Sequence, residues 1–331
     1  MPINWDTSCI NDINNDVSHM TSLGLESNLS TAATDKIFYY HRGIKNASTT
    51  SPILVLLHGY PQTQKLYVVP LLRSDTPLFI PDLPGYGRSS PLPGPHDKRS
   101  VGDSILSALT SLLSNTFKPV IVLAGHDRGG RVCHRLAIDA ADHPAFEIRG
   151  IVLLDIVPNL TQWKSFSTAT ASVRSYHWSF LANVDLATDM IMRGGGDFYC
   201  RSNLYRWASN VESSPAMKQF QSHDAFDVYS NFFKYEHVVR ATCDDYRAGA
   251  FEDLEEEEKD QNEGRKFNVD VMFLYSSGFL GSRYNGDEWR NCMGSGKFQE
   301  IGFGDGVGHF IAEEAPEKTA EALLGFYEAH K

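Results

Sequence analysis

The chain has 331 residues, 42% of them hydrophobic and 21% charged, which is enough apolar material for one large packed domain with an insertion or for two ordinary domains. A formal net charge of −11 argues against nucleic acid or an anionic membrane as partner. No apolar run reaches the roughly 18 residues of a membrane span. The N-terminus shows neither the basic nor the apolar segment of a secretory leader, and five scattered cysteines (Cys9, Cys133, Cys200, Cys243, Cys292) fit reduced thiols in the cytoplasm.

Residues 1–35 are rich in Asn, Ser, Thr and Asp without clear periodicity, and read as an N-terminal extension, partly ordered at best. From residue 36 short apolar runs alternate with helical patterns, the signature of a mainly parallel sheet with helices on both faces. Strands are expected at Ile37–Tyr40, Ile53–Leu57, Leu78–Ile80, Val120–Leu123, Ile151–Leu154, Val271–Leu274 and Phe298–Ile301. Helices are expected at Val101–Leu113, Arg128–Ala141 and Ala315–Ala329. The alternation breaks from about Pro158 to Arg240, where Trp163, Trp178 and Trp207 occur without a clear strand. A helical cap over residues 158–240 is expected there, on a core made of 36–157 and 241–331. Such a cap at the carboxyl edge of the sheet would shut water out of a site. The acidic run Glu252–Asp260, offset only by Lys259, reads as a solvated loop or helix face.

The most informative stretch is Val120-Ile-Val-Leu-Ala-Gly-His-Asp-Arg-Gly-Gly-Arg131. A β-branched run ends in Gly-His-Asp-Arg-Gly and a helix follows. This is the G-x-S-x-G nucleophile elbow of the α/β-hydrolase fold with Asp127 in the central place. Glycines two before and two after are required because a side chain there would strike the neighbouring backbone. The alternative is a Gly-rich strand-to-helix turn with an Asp N-cap. His309, after the last strand and before the last helix, sits where the hydrolase order nucleophile–acid–histidine puts the catalytic histidine. The usual acid position, within Tyr275–Phe279, holds no carboxylate. Asp155, at the end of the strand Ile151–Leu154, supplies one; Asp287 and Glu288 are fallbacks that read better as surface residues. The turn His58-Gly-Tyr-Pro61 would give the Tyr60 N–H to an oxyanion hole, with the Arg128 N–H as its second donor.

A carboxylate nucleophile needs no deprotonation and can displace a leaving group from saturated carbon, leaving an aspartyl ester that His309-activated water then hydrolyses. Carbon–halogen bonds and epoxides both suit this chemistry. Arg128 and Arg131 lie in the first turn of the following helix, where the helix dipole disfavours cations. A bound carboxylate would offset that cost through a bidentate fork. Arg135, one turn on, reads as part of an exposed basic face.

Gly125–Arg131 resembles the fluoroacetate, or haloacetate, dehalogenases, as do Asp82–Ser89, Tyr176-His-Trp178, Asp245–Ala250 and Gly308–Pro316. The resemblance runs from about residue 36 to the end. It implies Asp127 as nucleophile, His309 as base, Asp155 as orienting acid, Arg128 and Arg131 as a carboxylate clamp, and His177, Trp178 and Tyr246 as a halide pocket. It also implies a small anionic halogenated substrate, no cofactor and a homodimer. On residue type alone Trp178 and Tyr246 read as cap-core aromatics and His177 as a satisfied buried histidine. Two places depart from the family pattern: Gln64–Tyr67 replaces the usual His and Trp residues, and Phe180–Val184 differs in the cap. The runner-up is an epoxide hydrolase, whose two acid tyrosines would be Tyr246 and one of Tyr176, Tyr199, Tyr205 or Tyr229. A hydrolase-fold ligand receptor is the third reading.

Overall fold

The computed structural model describes residues 5–30, 35–64, 68–113, 118–143, 145–209, 214–304 and 306–331. Lys65, Leu66 and Tyr67, part of the first departure noted above, lie outside them, as do residues 1–4 and 31–34 of the N-terminal stretch. Among the described residues eight strands form one sheet: β1 Glu26–Leu29, β2 Phe38–Arg42, β3 Ile53–Leu57, β4 Leu78–Pro81, β5 Val120–His126, β6 Glu147–Leu154, β7 Asp270–Ser276 and β8 Phe298–Phe303. Their order is β1-β2-β4-β3-β5-β6-β7-β8, antiparallel at β1–β2 and β2–β4 and parallel elsewhere. Every residue of β3 and β5 is buried, as parallel strands covered on both faces must be. This is an α/β-hydrolase fold.

Register places the site. Leu57 of β3 pairs with Gly125 of β5, Gly125 with Leu153 of β6, and Leu154 with Leu274 of β7. Residues 58–60, 126–127, 155 and 275–276 therefore emerge side by side at the carboxyl edge. Above that edge the chain makes the short helices Asn159–Ser165, Ala169–Arg174 and His177–Ala182, then Val184–Gly194, Gly196–Trp207, Pro215–Gln221 and Ala225–Phe232. The helix Glu236–Ala250 runs without a break through the expected cap boundary at 240/241.

Three expectations need correction. The N-terminal stretch is not a loose extension: Thr7–Ser22 is a helix capped by the Asp6 carboxylate, and β1 adds an edge strand. Asp16 is buried, accepting from the Tyr40 hydroxyl at 2.8 Å and the Gln64 amide at 2.9 Å and pairing with Arg88 at 3.1 Å. The acidic run is not simply solvated either. It forms the helix Glu252–Glu263, which buries Asp253, Glu257 and Asp260. Asp253 accepts from Lys98, Glu257 from the Asn159 and Leu160 amides, and Asp260 from Arg135 and Arg265. Arg135 is consequently buried and ion-paired rather than exposed, with Asp139 as its second partner. Among the described residues no helix is long and apolar enough to cross a membrane.

Candidate active site

β5 ends at His126 and the helix Arg128–Ile138 starts with one residue between them, so Asp127 must absorb the whole reversal. It does so at φ 47°, ψ −114°, a conformation costly for any residue with a side chain. A Cβ on Gly125 would lie 2.4 Å from the Gly129 backbone, and one on Gly129 would lie 2.5 Å from the His58 carbonyl oxygen. Both glycines are required by contact. Although Asp127 stands at the N-cap position, its side chain makes no cap hydrogen bond. The carboxylate is left free to face the cavity above the sheet.

His309 lies opposite. Its Nδ1 bonds Asp155 Oδ2 at 2.7 Å, and its Nε2 stands 3.8 Å from Asp127 Oδ2. The other Asp155 oxygen accepts the Ser276 amide at 2.8 Å, and the Asp155 amide donates to Leu274 at 2.7 Å. Asp155 is fully buried, and burial pushes its carboxyl above the usual range, opposed by its bond to His309. One ring nitrogen thus faces Asp155 and the other faces Asp127. The His309 amide donates to the Trp207 carbonyl at 2.8 Å, so the cap helps seat the imidazole. Neither fallback acid comes near: Asp287 pairs with Arg290 and Glu288 accepts from Thr161.

The Tyr60 amide donates to Asp127 Oδ1 at 3.0 Å. Burial by itself would raise the Asp127 carboxyl; His309, His126, Arg131 and Arg128 overcome it and hold the group below the ordinary carboxylate range. The two arginines do this without lining the cavity. Arg128 is fully buried and forked onto Asp245, with Nε–Oδ2 at 2.7 Å and Nη2–Oδ1 at 3.0 Å. Arg131 donates from Nε and Nη2 to the Val157 carbonyl, at 3.3 and 3.1 Å. The carboxylate that forks onto Arg128 is the protein's own Asp245, where the sequence led us to expect a bound ligand's. One Nη1 on each guanidinium remains buried without a partner. Arg128 lies over the Tyr246 ring at 4.4 Å and Arg131 over the Trp178 ring at 4.3 Å. Both cations thus sit directly behind the cavity wall.

His177, Trp178 and Tyr246 come together on that wall, 5.9 Å between the His177 and Tyr246 rings and 5.5 Å between those of Trp178 and Tyr246. Burial lowers His177 to about 3, so its imidazole is a neutral donor, and its Nδ1 has no partner. The Trp178 and Tyr246 donors likewise make no hydrogen bond to described residues. The other tyrosines are elsewhere. Tyr176 and Tyr199 line a separate apolar hollow, Tyr205 packs on Phe226, and Tyr229 donates to Glu313. Sequence reading missed Asp245 as the Arg128 partner, and Trp207, Phe279 and Arg283 as further lining of a cavity of about 300 Å³. No local pattern marks them, because they come from three distant segments.

The alpha/beta hydrolase family model matches residues 54–322. The chain belongs to that family. It is 27% identical over 283 residues to a fluoroacetate dehalogenase of a Burkholderia species, covering 84% of this chain and 87% of that one. It is 28% identical over 280 residues to a soluble epoxide hydrolase of Corynebacterium sp. (strain C12), covering 83% and 89%. A Pseudomonas aeruginosa protein described as a candidate epoxide hydrolase superposes with a TM-score of 0.77 at 27% identity, over 93% of this chain and 96% of that one.

Proposed function

We propose that this hydrolase cleaves the carbon–halogen bond of a haloacetate-type acid through an ester of Asp127. The observation that carries the reading is an ionised Asp127 facing a bank of unpartnered neutral donors, with the His309–Asp155 pair 3.8 Å behind it. Asp127 Oδ2 attacks the halogen-bearing carbon, and the halide leaves toward His177, Trp178 and Tyr246, whose N–H and O–H groups meet the developing charge. The buried Nη1 atoms of Arg128 and Arg131 supply a positive field that favours an anionic substrate. Water, deprotonated by His309 Nε2, then adds to the Asp127 carbonyl carbon. Charge grows on Oδ1, 3.0 Å from the Tyr60 amide. Collapse releases the hydroxy acid with the original Oδ2, and the water oxygen stays on Asp127. The scheme calls on no cofactor.

A second reading, epoxide opening, uses the same nucleophile. The observation favouring it is that Tyr246 and His177 flank Asp127 and could hold an epoxide oxygen between them. A two-tyrosine acid is not assembled, since Tyr246 is the one of the five candidate tyrosines that lines this cavity. Halide release from fluoroacetate and chloroacetate decides between them: turnover of an epoxide and of neither haloacid would overturn the first reading. Asp127→Asn is expected to abolish turnover, and His309→Asn to accumulate an ester seen as a mass increase on intact protein. Wild-type turnover by Asp127→Asn would remove Asp127 from the mechanism.

A further inference from the structure

We propose that the outer half of the cavity is an oxyanion subsite made by Arg174, Arg206 and Arg283, and that the substrate is a haloacid carrying a second anionic group. The inference deepens the proposed reaction and rests on it only for the identity of the reacting end.

The three arginines reach one cavity from three elements. Arg174 ends the cap helix Ala169–Arg174, Arg206 lies on the cap helix Gly196–Trp207, and Arg283 follows β7 in the core. None makes a hydrogen bond or ion pair with an acid among the described residues. That is unusual in this chain, which carries 41 acidic against 30 basic side chains. Even well-exposed arginines elsewhere are paired: Arg193 with Asp189, Arg201 with Asp227, Arg240 with Asp185. The acids lining this cavity are Asp127 and Asp155, at its inner end. Aromatic rings support two of the guanidiniums, Arg206 over Tyr176 at 4.9 Å and Arg283 over Phe279 at 5.0 Å. Burial pushes Arg283 below its ordinary value against the opposing pull of Tyr284 and Asp155, with Arg174 adding to the lowering, a penalty that a bound anion would relieve.

Size agrees. A cavity of about 300 Å³ has the volume of roughly ten waters at about 30 Å³ each, more than the few non-hydrogen atoms of a haloacetate fill. The inner end, under Arg128 and Arg131, accounts for the reacting carboxylate. The remaining length ends among three cations that pair with no acid among the described residues, and a guanidinium fork is the natural receptor for carboxylate or phosphate oxygens.

Calorimetric binding to the intact wild-type chain tests this without chemistry. Succinate or 3-phosphonopropionate is expected to bind at least about tenfold more tightly than propionate, and the tighter of the two identifies the oxyanion. Arg283→Gln and Arg206→Gln should erase most of that preference, with Arg283→Lys retaining part. Equal affinity for singly and doubly charged acids would overturn the subsite. So would equal losses for propionate and succinate in the variants, which would mean general steering. In turnover, 2-chlorosuccinate should exceed chloroacetate in kcat/KM. If neither haloacid reacts while succinate still binds preferentially, the proposed reaction fails and the subsite stands. If chloroacetate reacts and the diacids show no preference, the reaction stands and the subsite falls.

Discussion

At the scale of single residues, chemistry here is governed by what each charge is allowed to touch. Asp127 stays ionised in a buried place because two histidines and two guanidiniums outweigh its desolvation. Glu313 shows the opposite balance. It is fully buried, bonded to Gln62 and approached by the Tyr229 hydroxyl, and one oxygen has no partner. Burial raises its carboxyl from 4.5 to about 8. A folded-state value above the unfolded one means that stability is fully present below pH 4.5 and is lost as pH rises toward 8. The loss from this group approaches about 1.4 kcal/mol per pH unit inside that window. Glu313→Gln keeps the shape and cannot ionise. The variant should melt above wild type at pH 8 and close to it at pH 4, and a constant difference between the two pH values would contradict the assignment.

At the scale of elements, the Asp245 carboxylate ties together three pieces of chain. It accepts Arg128 from the helix after β5 and Lys98 from the helix Lys98–Thr110, while sitting on Glu236–Ala250 beside Tyr246. The Tyr86 hydroxyl adds a fourth contact at 3.0 Å. The pairing pulls Asp245 well below the usual carboxylate range against its burial. Asp245→Asn would leave buried Arg128 without its counter-charge and Lys98 with Asp253 alone, a change worth about 3–5 kcal/mol for one broken buried pair. The expected outcome is a drop of that size in urea unfolding, with Tyr246 loosened and turnover reduced. A change under about 1 kcal/mol would show that Arg128 re-pairs. The helix Glu252–Glu263 works in the same way, turning Asp253, Glu257 and Asp260 inward while Glu255 and Glu258 remain in solvent.

At the scale of the whole molecule, the N-terminal stretch belongs to the folded body. Trp5 packs edge-on against Phe232 and Tyr235, at 5.4 and 4.6 Å, so it reaches the cap, while Asp16 on the same segment reaches the core. Asp16→Ala would strand the Tyr40 hydroxyl, the Gln64 amide and Arg88, and a cost of about 1–3 kcal/mol is expected in thermal or urea unfolding. No measurable loss would return this stretch to the status of an appendage.

The sequence by itself determined the alternation of β3 to β8 with helices, the elbow at Asp127 and the places of Asp155 and His309. These are local: burial on both faces demands continuous apolar strands, and a one-residue strand-to-helix reversal demands Gly125 and Gly129. Asn-, Ser- and Asp-rich residues hid the helix Thr7–Ser22 because its apolar face is narrow, with Cys9 and Met20 as its buried apolar residues. A run of glutamates looked solvated because two of the cations it pairs with, Lys98 and Arg135, are distant in sequence. Tertiary structure alone decided that Arg128 is held by Asp245, that Tyr246 is the one of the five candidate tyrosines on the cavity wall, and that Arg174, Arg206 and Arg283 line one cavity without an ion pair among the described residues. The physical reason is that a charge is defined by its partner, and partners are chosen by how the helices pack over the sheet, which no single stretch of chain encodes.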